Sequence, residues 1–394
     1  MSMRQTSDLS ISVRPGREAV FPKGEFNRRI AALQSRLHEE GAEALLLTGP
    51  ENIFWATGRQ TAGYFAFQAL VVPVEGAPRL LVRQLEETGA RAATYLDRIE
   101  TWQDGADPIT VLARMVSEMG LSRLACERTG WFVSPDTRAR MEAGLPVALT
   151  DGSGWVEDLR VVKSPLELDA IRRAAGYAQA GLGAAIATCG KRVSENDVAA
   201  AMMAAALSAG SEAMAMEPLV SSGPRSGIPH ATWRRRTMRH GDAVFLELAA
   251  SHDRYHAALM RSVWIGPPPA EVSRMMDTAL RALEAALKMM RPGVPCAAVH
   301  EAAQAVIDDA GYSAAFRKRV GYSMGVAFAP DWGEGAILSL FTGVERLLEP
   351  GMVFHLPVTL RSYGAYTVGV SETVIVTETG AEPLSTLPRA MTLK

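Results

Sequence analysis

The chain has 394 residues, 48% of them apolar and 21% charged, with 41 basic against 43 acidic side chains. A single core usually stops growing at about 250 to 300 residues, so two domains are expected, and this composition excludes a disordered chain. A net charge of −2 excludes a global field able to hold nucleic acid or an anionic membrane, which leaves small molecules and further copies of the chain as partners.

The polar stretch Met1 to Lys23 lacks the uninterrupted apolar run of a secretion signal, and no later run has the length of a membrane span. Phe26, Ile30, Leu33 and Leu37 then recur at helical spacing between Glu25 and Gly41, and Ala44 to Leu47 reads as a short buried strand. Further strands are expected at Leu70 to Pro73, Arg79 to Arg83 and Leu124 to Glu127, with a helix at Pro108 to Met119. Together these make a small N-terminal α/β domain over residues 1–157.

The second domain, residues 158–394, begins with Asp158 to Pro165. Ser164 is placed to cap a long helix, and Pro165 sits at its first position, where a missing N–H costs nothing. Helices are expected over Leu166 to Gly210 and Pro269 to Gly311. Each stretch is followed by strands, at Ala243 to Ala249 with Ala257 to Ile265, and at Met352 to Leu356 with Val368 to Val376. The repeated order predicts a pseudo-duplicated α+β domain whose halves close over one site. The basic run Arg234-Arg235-Arg236 with Arg239 reads as an anion site, a solvated loop or a source of intersubunit ion pairs. Cys126, Cys189 and Cys296 form no Cys-x-x-Cys pair, which argues against disulfides and thiolate zinc and fits a cytoplasmic location.

Six segments in this order resemble the creatinase/prolidase/methionine aminopeptidase superfamily: Leu159 to Pro165, Ser222-Gly223 leading to Pro229-His230, Gly241 to Val244, Tyr255 to Arg261, Leu348 to Val353, and Ser371-Glu372-Thr373 before Val376 to Gly380. The resemblance implies a pita-bread fold for the second domain and a homodimer, with an N-terminal loop near the neighbouring subunit's site. It also implies a ligand set, because metallopeptidase members hold two metal ions with two Asp, one His and two Glu. Carried over, those positions fall on Glu247, Ala258, Tyr322, Pro357 and Glu372. Ala and Pro carry no donor atom and a neutral Tyr is a poor ligand, so neither a metal nor another cofactor is expected.

Among the metal-free branches, Pro229 to Trp233, Leu246 to Ala249, Arg254 to His256, Asp331 to Glu334 and Phe354-His355 are most similar to ectoine hydrolase. Creatinase clamps its substrate carboxylate with arginines where this chain has Ala66 and Glu334, which disfavours creatine. The resemblance therefore implies metal-independent hydrolysis of a C–N bond (amidine, guanidino or small amide) in a nitrogen-rich metabolite. The alternatives are a lyase acting on a small zwitterion and a catalytically dead ligand-binding protein.

His230, Glu247 and Glu372 are the expected catalytic groups. The matching His of the metal-free relatives acts as general acid/base, and an imidazole titrating near neutrality both takes and gives a proton. Glu247 stands alone in an apolar strand, so it is either tied to Arg261 or functional; as the counterpart of the ectoine hydrolase Glu it is a nucleophile or the ion-pair partner of a cationic C–N group. Glu372 is expected to face it across the site, two close carboxylates leaving one protonated. Tyr322 and His355 either donate hydrogen bonds to substrate or fill the vacated metal volume. Tyr64 and Phe65 form either an aromatic wall for a cation or a piece of core. Arg225 and Arg261 are candidates for a substrate carboxylate.

Overall fold

The computed structural model describes residues 14–130 and 132–394; residues 1–13 of the polar stretch read for a leader lie outside them. The chain forms two compact units that divide between Arg160 and Val161.

The N-terminal unit carries helices α1 (Lys23–Glu39), α2 (Pro50–Thr57), α3 (Glu87–Ala93), α4 (Pro108–Glu118), α5 (Pro135–Gly144) and α6 (Trp155–Arg160). Its strands are β1 (Ala44–Leu47), β2 (Ala69–Pro73), β3 (Arg79–Arg83), β4 (Ile99–Trp102), β5 (Arg123–Cys126) and β6 (Ala148–Asp151). They form one sheet in the order β4-β3-β2-β1-β5-β6. α1 exists for the reason its spacing predicts: Phe26, Leu33 and Leu37 share a face and are buried. β1 is buried along its whole length, as a central strand covered on both faces must be.

The C-terminal unit opens on a reciprocal cap. The Ser164 backbone N–H donates to the Glu167 carboxylate at 2.8 Å, and the Glu167 N–H donates back to the Ser164 hydroxyl. From it run α7 (Pro165–Thr188) and α8 (Glu195–Ala209), then β7 (Leu219–Ser222) and the hairpin β8 (Ala243–His252) with β9 (Tyr255–Trp264). The order recurs as α9 (Ala270–Met289) and α10 (Cys296–Asp309), then β10 (Gly321–Ser323), β11 (Ser339–Leu340) and the hairpin β12 (Val353–Ser362) with β13 (Tyr366–Thr377). The short strands β14 (Gly380–Pro383) and β15 (Thr392–Leu393) pair with β13 and β9. The two hairpins meet where Arg261 of β9 opposes Val370 of β13, giving one curved sheet in the order β11-β10-β12-β13-β9-β8-β7. No described helix is long and apolar enough to cross a membrane.

The period of two along these strands decides what the unit can hold. Val244, Leu246 and Leu248 of β8 pack against Ala178, Leu182 and Met202 of α7 and α8. Val358, Leu360, Val370 and Val374 pack against Met276, Leu283 and Val299 of α9 and α10. Residues of the other parity point to the helix-free face of the sheet.

Glu372 falls on the parity of Val370 and Val374, and this overturns its expected place opposite Glu247. Its Oε1 accepts from Arg261 at 2.9 Å and from Arg389 at 3.1 Å, with the carboxylate fully buried. Arg261 is corrected with it. All five of its N–H donors are engaged, to Glu372 and to the carbonyls of Met260, Ser371, Leu387 and Pro388, so it ties the C-terminal tail to the sheet and binds no substrate. Removing one member of a buried pair strands the other charge. Arg261→Met is therefore expected to cost about 3–5 kcal/mol in urea unfolding of the C-terminal unit. Wild-type stability in that variant would show the pair to be dispensable.

Candidate active site

On the helix-free face of the C-terminal sheet lies a cavity of about 590 Å³. β8 supplies Phe245 and Glu247, two residues apart on one face. β12 supplies Pro357, Thr359 and Arg361 by the same alternation, β10 supplies Tyr322, and the loops bring His230, Arg317, Lys318, Arg319, Asp331, Trp332 and Tyr363.

Glu247 is 7% exposed and flanked by apolar residues. Burial pushes its carboxyl up to about 7, against the opposing pull of Lys318 and Arg361. Burial likewise pulls the Lys318 ammonium down to about 8, with Glu247 resisting. The two sit near enough to act on each other yet make no ion pair within 4 Å among the described residues. His230 lies at the exposed rim, in the left-handed region at φ 55°, an uncommon conformation for a side chain other than glycine.

Beneath Tyr322 runs a buried hydrogen-bonded chain. Trp332 Nε1 donates to the Tyr322 hydroxyl at 2.8 Å, that hydroxyl meets His355 Nδ1 at 2.8 Å, and His355 Nε2 meets Ser371 Oγ at 2.7 Å. Burial holds the Tyr322 phenol well above its ordinary range and the His355 imidazole well below its own, so both are neutral. The phenol proton can then point to His355 or into the cavity, according to which imidazole nitrogen carries its hydrogen.

His230, Glu247 and Tyr322 thus share one cavity, with His355 one layer beneath. Arg225 is placed differently from its expected substrate role. It is engaged with the buried Glu195 carboxylate at 2.5 Å and the Thr232 carbonyl at 2.6 Å, holding the loop that carries His230. The nearby basic run is partly structural too, since Arg236 pairs with Asp242 at 2.6 Å. Tyr64 and Phe65 belong to the N-terminal unit, where Tyr64 meets Phe132 edge-on at 5.9 Å and Phe65 is 80% exposed. Sequence reasoning passed over Lys318, Arg361 and Ser371. The run Arg317-Lys318-Arg319 immediately before Gly321-Tyr322 was the available signal for the first.

The donor set of a dinuclear metal centre is not met. Pro357 is paired with Ser371 and Leu356 with Glu372, so the β13 residue facing the cavity side is Ser371. The five ligand positions then carry Glu247, Ala258, Tyr322, Pro357 and Ser371, a single carboxylate among them. Among the described residues no three His, Cys, Asp or Glu side chains group so as to hold a metal ion.

Residues 169–378 match the model of metallopeptidase family M24, and residues 29–162 match that of the creatinase/prolidase N-terminal domain. The chain is 28% identical to the ectoine hydrolase of Halomonas elongata over 398 residues, covering 95% of this chain and 98% of that one. It is 30% identical to the uncharacterized hydrolase/peptidase y4tL of Sinorhizobium fredii, covering 94% and 97%. Among solved structures, dipeptidase PepE of Mycobacterium ulcerans superimposes with a TM-score of 0.81 at 25% identity, covering 95% of this chain and 99% of that one. With this match across both units, the chain belongs to the M24 family of pita-bread hydrolases and carries the creatinase/prolidase N-terminal domain ahead of its M24 domain.

Proposed function

We propose that this chain is a metal-independent hydrolase that cleaves a C–N bond in a small nitrogen-rich metabolite, with a cyclic amidine of the ectoine type as the leading substrate class. The observation that carries the reading is Glu247. It is a buried carboxylate in a cavity whose other former ligand positions offer Ala258, Tyr322, Pro357 and Ser371. Likeness to an ectoine hydrolase along nearly the whole chain supports the substrate class. Likeness to a dipeptidase brings a peptide bond as the second reading, and the depleted donor set speaks against it.

In this mechanism the oxygen of water ends on the amidine carbon, one C–N bond breaks, and the leaving nitrogen gains a proton. Glu247 is the reacting carboxylate and stands against the cationic C–N group. His230 at the rim carries the proton to the leaving nitrogen. Tyr322, kept neutral by burial, donates to the oxygen that develops charge on the reacting carbon. The same reading takes a homodimer in the cytoplasm. The exposed Phe65 loop supports the first and three buried, free cysteines the second.

The experiment is a panel of ring-opening, ammonia and urea assays on ectoine, creatine, simple amidines and dipeptides. Glu247→Gln and His230→Ala should each lower kcat by roughly 10²-fold or more while the fold persists; unchanged turnover in Glu247→Gln would remove it from the chemistry. Ligand binding with no turnover on any panel member would favour a dead binding protein.

The working form needs Glu247 ionised and Lys318 charged. kcat should therefore rise with pH through about 7 and fall through about 8, a narrow bell whose limbs belong to the pair together. A flat profile between pH 6 and 9 would contradict this assignment.

Stability follows from the same shift. The folded state holds the Glu247 proton up to about 7, whereas the unfolded chain releases it near 4.5, so wild-type stability falls as pH rises through that window. Glu247→Gln should accordingly be more stable than wild type at pH 8, by on the order of 1–3 kcal/mol, and should lose that advantage by pH 4. Equal melting curves at pH 8 would show that the carboxylate is not under strain.

A further inference from the structure

The cavity is lined by four cationic side chains, Arg317, Lys318, Arg319 and Arg361, against the carboxylates of Glu247 and Asp331. Three of the four are committed. Arg319 donates to the Gly335 carbonyl and the Ser339 hydroxyl, both at 2.9 Å, and stacks on Tyr322 at 4.9 Å. Arg317 donates to the Ala314 carbonyl at 3.1 Å and lies 4.3 Å over the Tyr363 ring. Arg361 donates through Nε to Thr367 at 2.8 Å.

Lys318 makes no hydrogen bond and no ion pair within 4 Å among the described residues. It stands just ahead of β10, half-buried in the cavity wall, with no ion pair to the nearby Glu247 carboxylate within 4 Å. A cation that lines the cavity with no protein acceptor is available to a ligand, and a bound carboxylate would give it a charge-assisted hydrogen bond. The gap between the cation and the anion fits a molecule carrying both signs of charge.

We propose that Lys318 binds a carboxylate of the substrate while Glu247 faces its C–N group, so that the site selects compact zwitterions over amidines or amides lacking a carboxylate. This deepens the proposed function and rests on it for the position of the C–N group. It assigns the carboxylate to a residue that neither Arg225 nor Arg261 can replace, since both are engaged elsewhere.

The shared chemistry, a carboxylate beside a cleavable nitrogen centre, occurs in a cyclic amidine acid and in a dipeptide. Isothermal titration calorimetry on the full chain would use ectoine, 2-methyl-1,4,5,6-tetrahydropyrimidine, which is the same ring without the carboxylate, and glycyl-proline. Lys318→Met should weaken binding of whichever carboxylated probe the wild type takes by roughly ten- to hundred-fold. It should leave the carboxylate-free ring unchanged, and Lys318→Arg should retain affinity to within a few-fold. Ectoine or glycyl-proline as the bound probe identifies the source of the carboxylate.

The proposal is overturned if Lys318→Met binds the carboxylated probe as wild type does. It is equally overturned if the carboxylate-free ring binds wild type as tightly as ectoine, or if neither carboxylated probe binds. Turnover without metal that survives Lys318→Met with KM unchanged would sink this assignment and leave the hydrolase reading standing; inert wild-type protein on the whole panel would sink the hydrolase reading by itself.

Discussion

Strand alternation in two hairpins is the constraint on which the C-terminal unit depends. β8 with β9 and β12 with β13 each run through long antiparallel registers, so every residue is committed to the helix-packed face or to the cavity face. One parity supplies Val244, Leu246, Val358 and Val370 to the helices; the other supplies Glu247, Pro357, Thr359 and Arg361 to the site. Gly369 shows how tightly the hairpins are pressed together. It adopts φ 148°, where a Cβ would collide with the Val358 carbonyl, while its N–H and carbonyl both bond the Ser262 hydroxyl.

Burial of charge separates framework from chemistry. Arg261 with Glu372, Lys163 with Glu334 at 2.8 Å, and Glu195 with Arg225 are buried ions whose partners lie within hydrogen-bonding distance. They hold, in turn, the C-terminal tail, the start of the second unit against β10, and the loop behind His230. Glu247, buried, and Lys318, half-buried, are the contrasting pair: both line the cavity, both are shifted toward neutrality, and they make no ion pair within 4 Å. A protein tolerates such unspent charge where a ligand completes it, which is why perturbed and incompletely paired groups mark sites.

Much of this was legible in the sequence, for definite reasons. Ser164, Pro165 and Glu167 announce a helix start because the cap is local, and β1 and α1 follow from spacing alone. Glu247 stood out as a carboxylate inside an apolar strand. The same rule misled at Glu372, which also interrupts an apolar strand: composition shows that a charge is buried but not toward which face, and its buried partner Arg261 lies 111 residues away in sequence. Arg225 and Arg261 read as candidates for a substrate carboxylate because their acceptors, Glu195 and the backbone carbonyls, are distant in sequence or invisible in it. Nothing in the run Arg317-Lys318-Arg319 distinguishes its middle residue, and only the engagement of the two neighbouring arginines leaves Lys318 as the unpartnered cation of the three.

The central claim is that the cavity performs its chemistry with side chains alone. The most direct test is the metal content of chelator-treated protein, measured by plasma mass spectrometry on the same sample assayed for turnover. The account predicts full activity at far less than one metal ion per chain. Activity that vanishes with the metal and returns in proportion to metal restored would contradict it, and would place a metal where Ala258, Pro357 and Ser371 offer neither a carboxylate nor an imidazole.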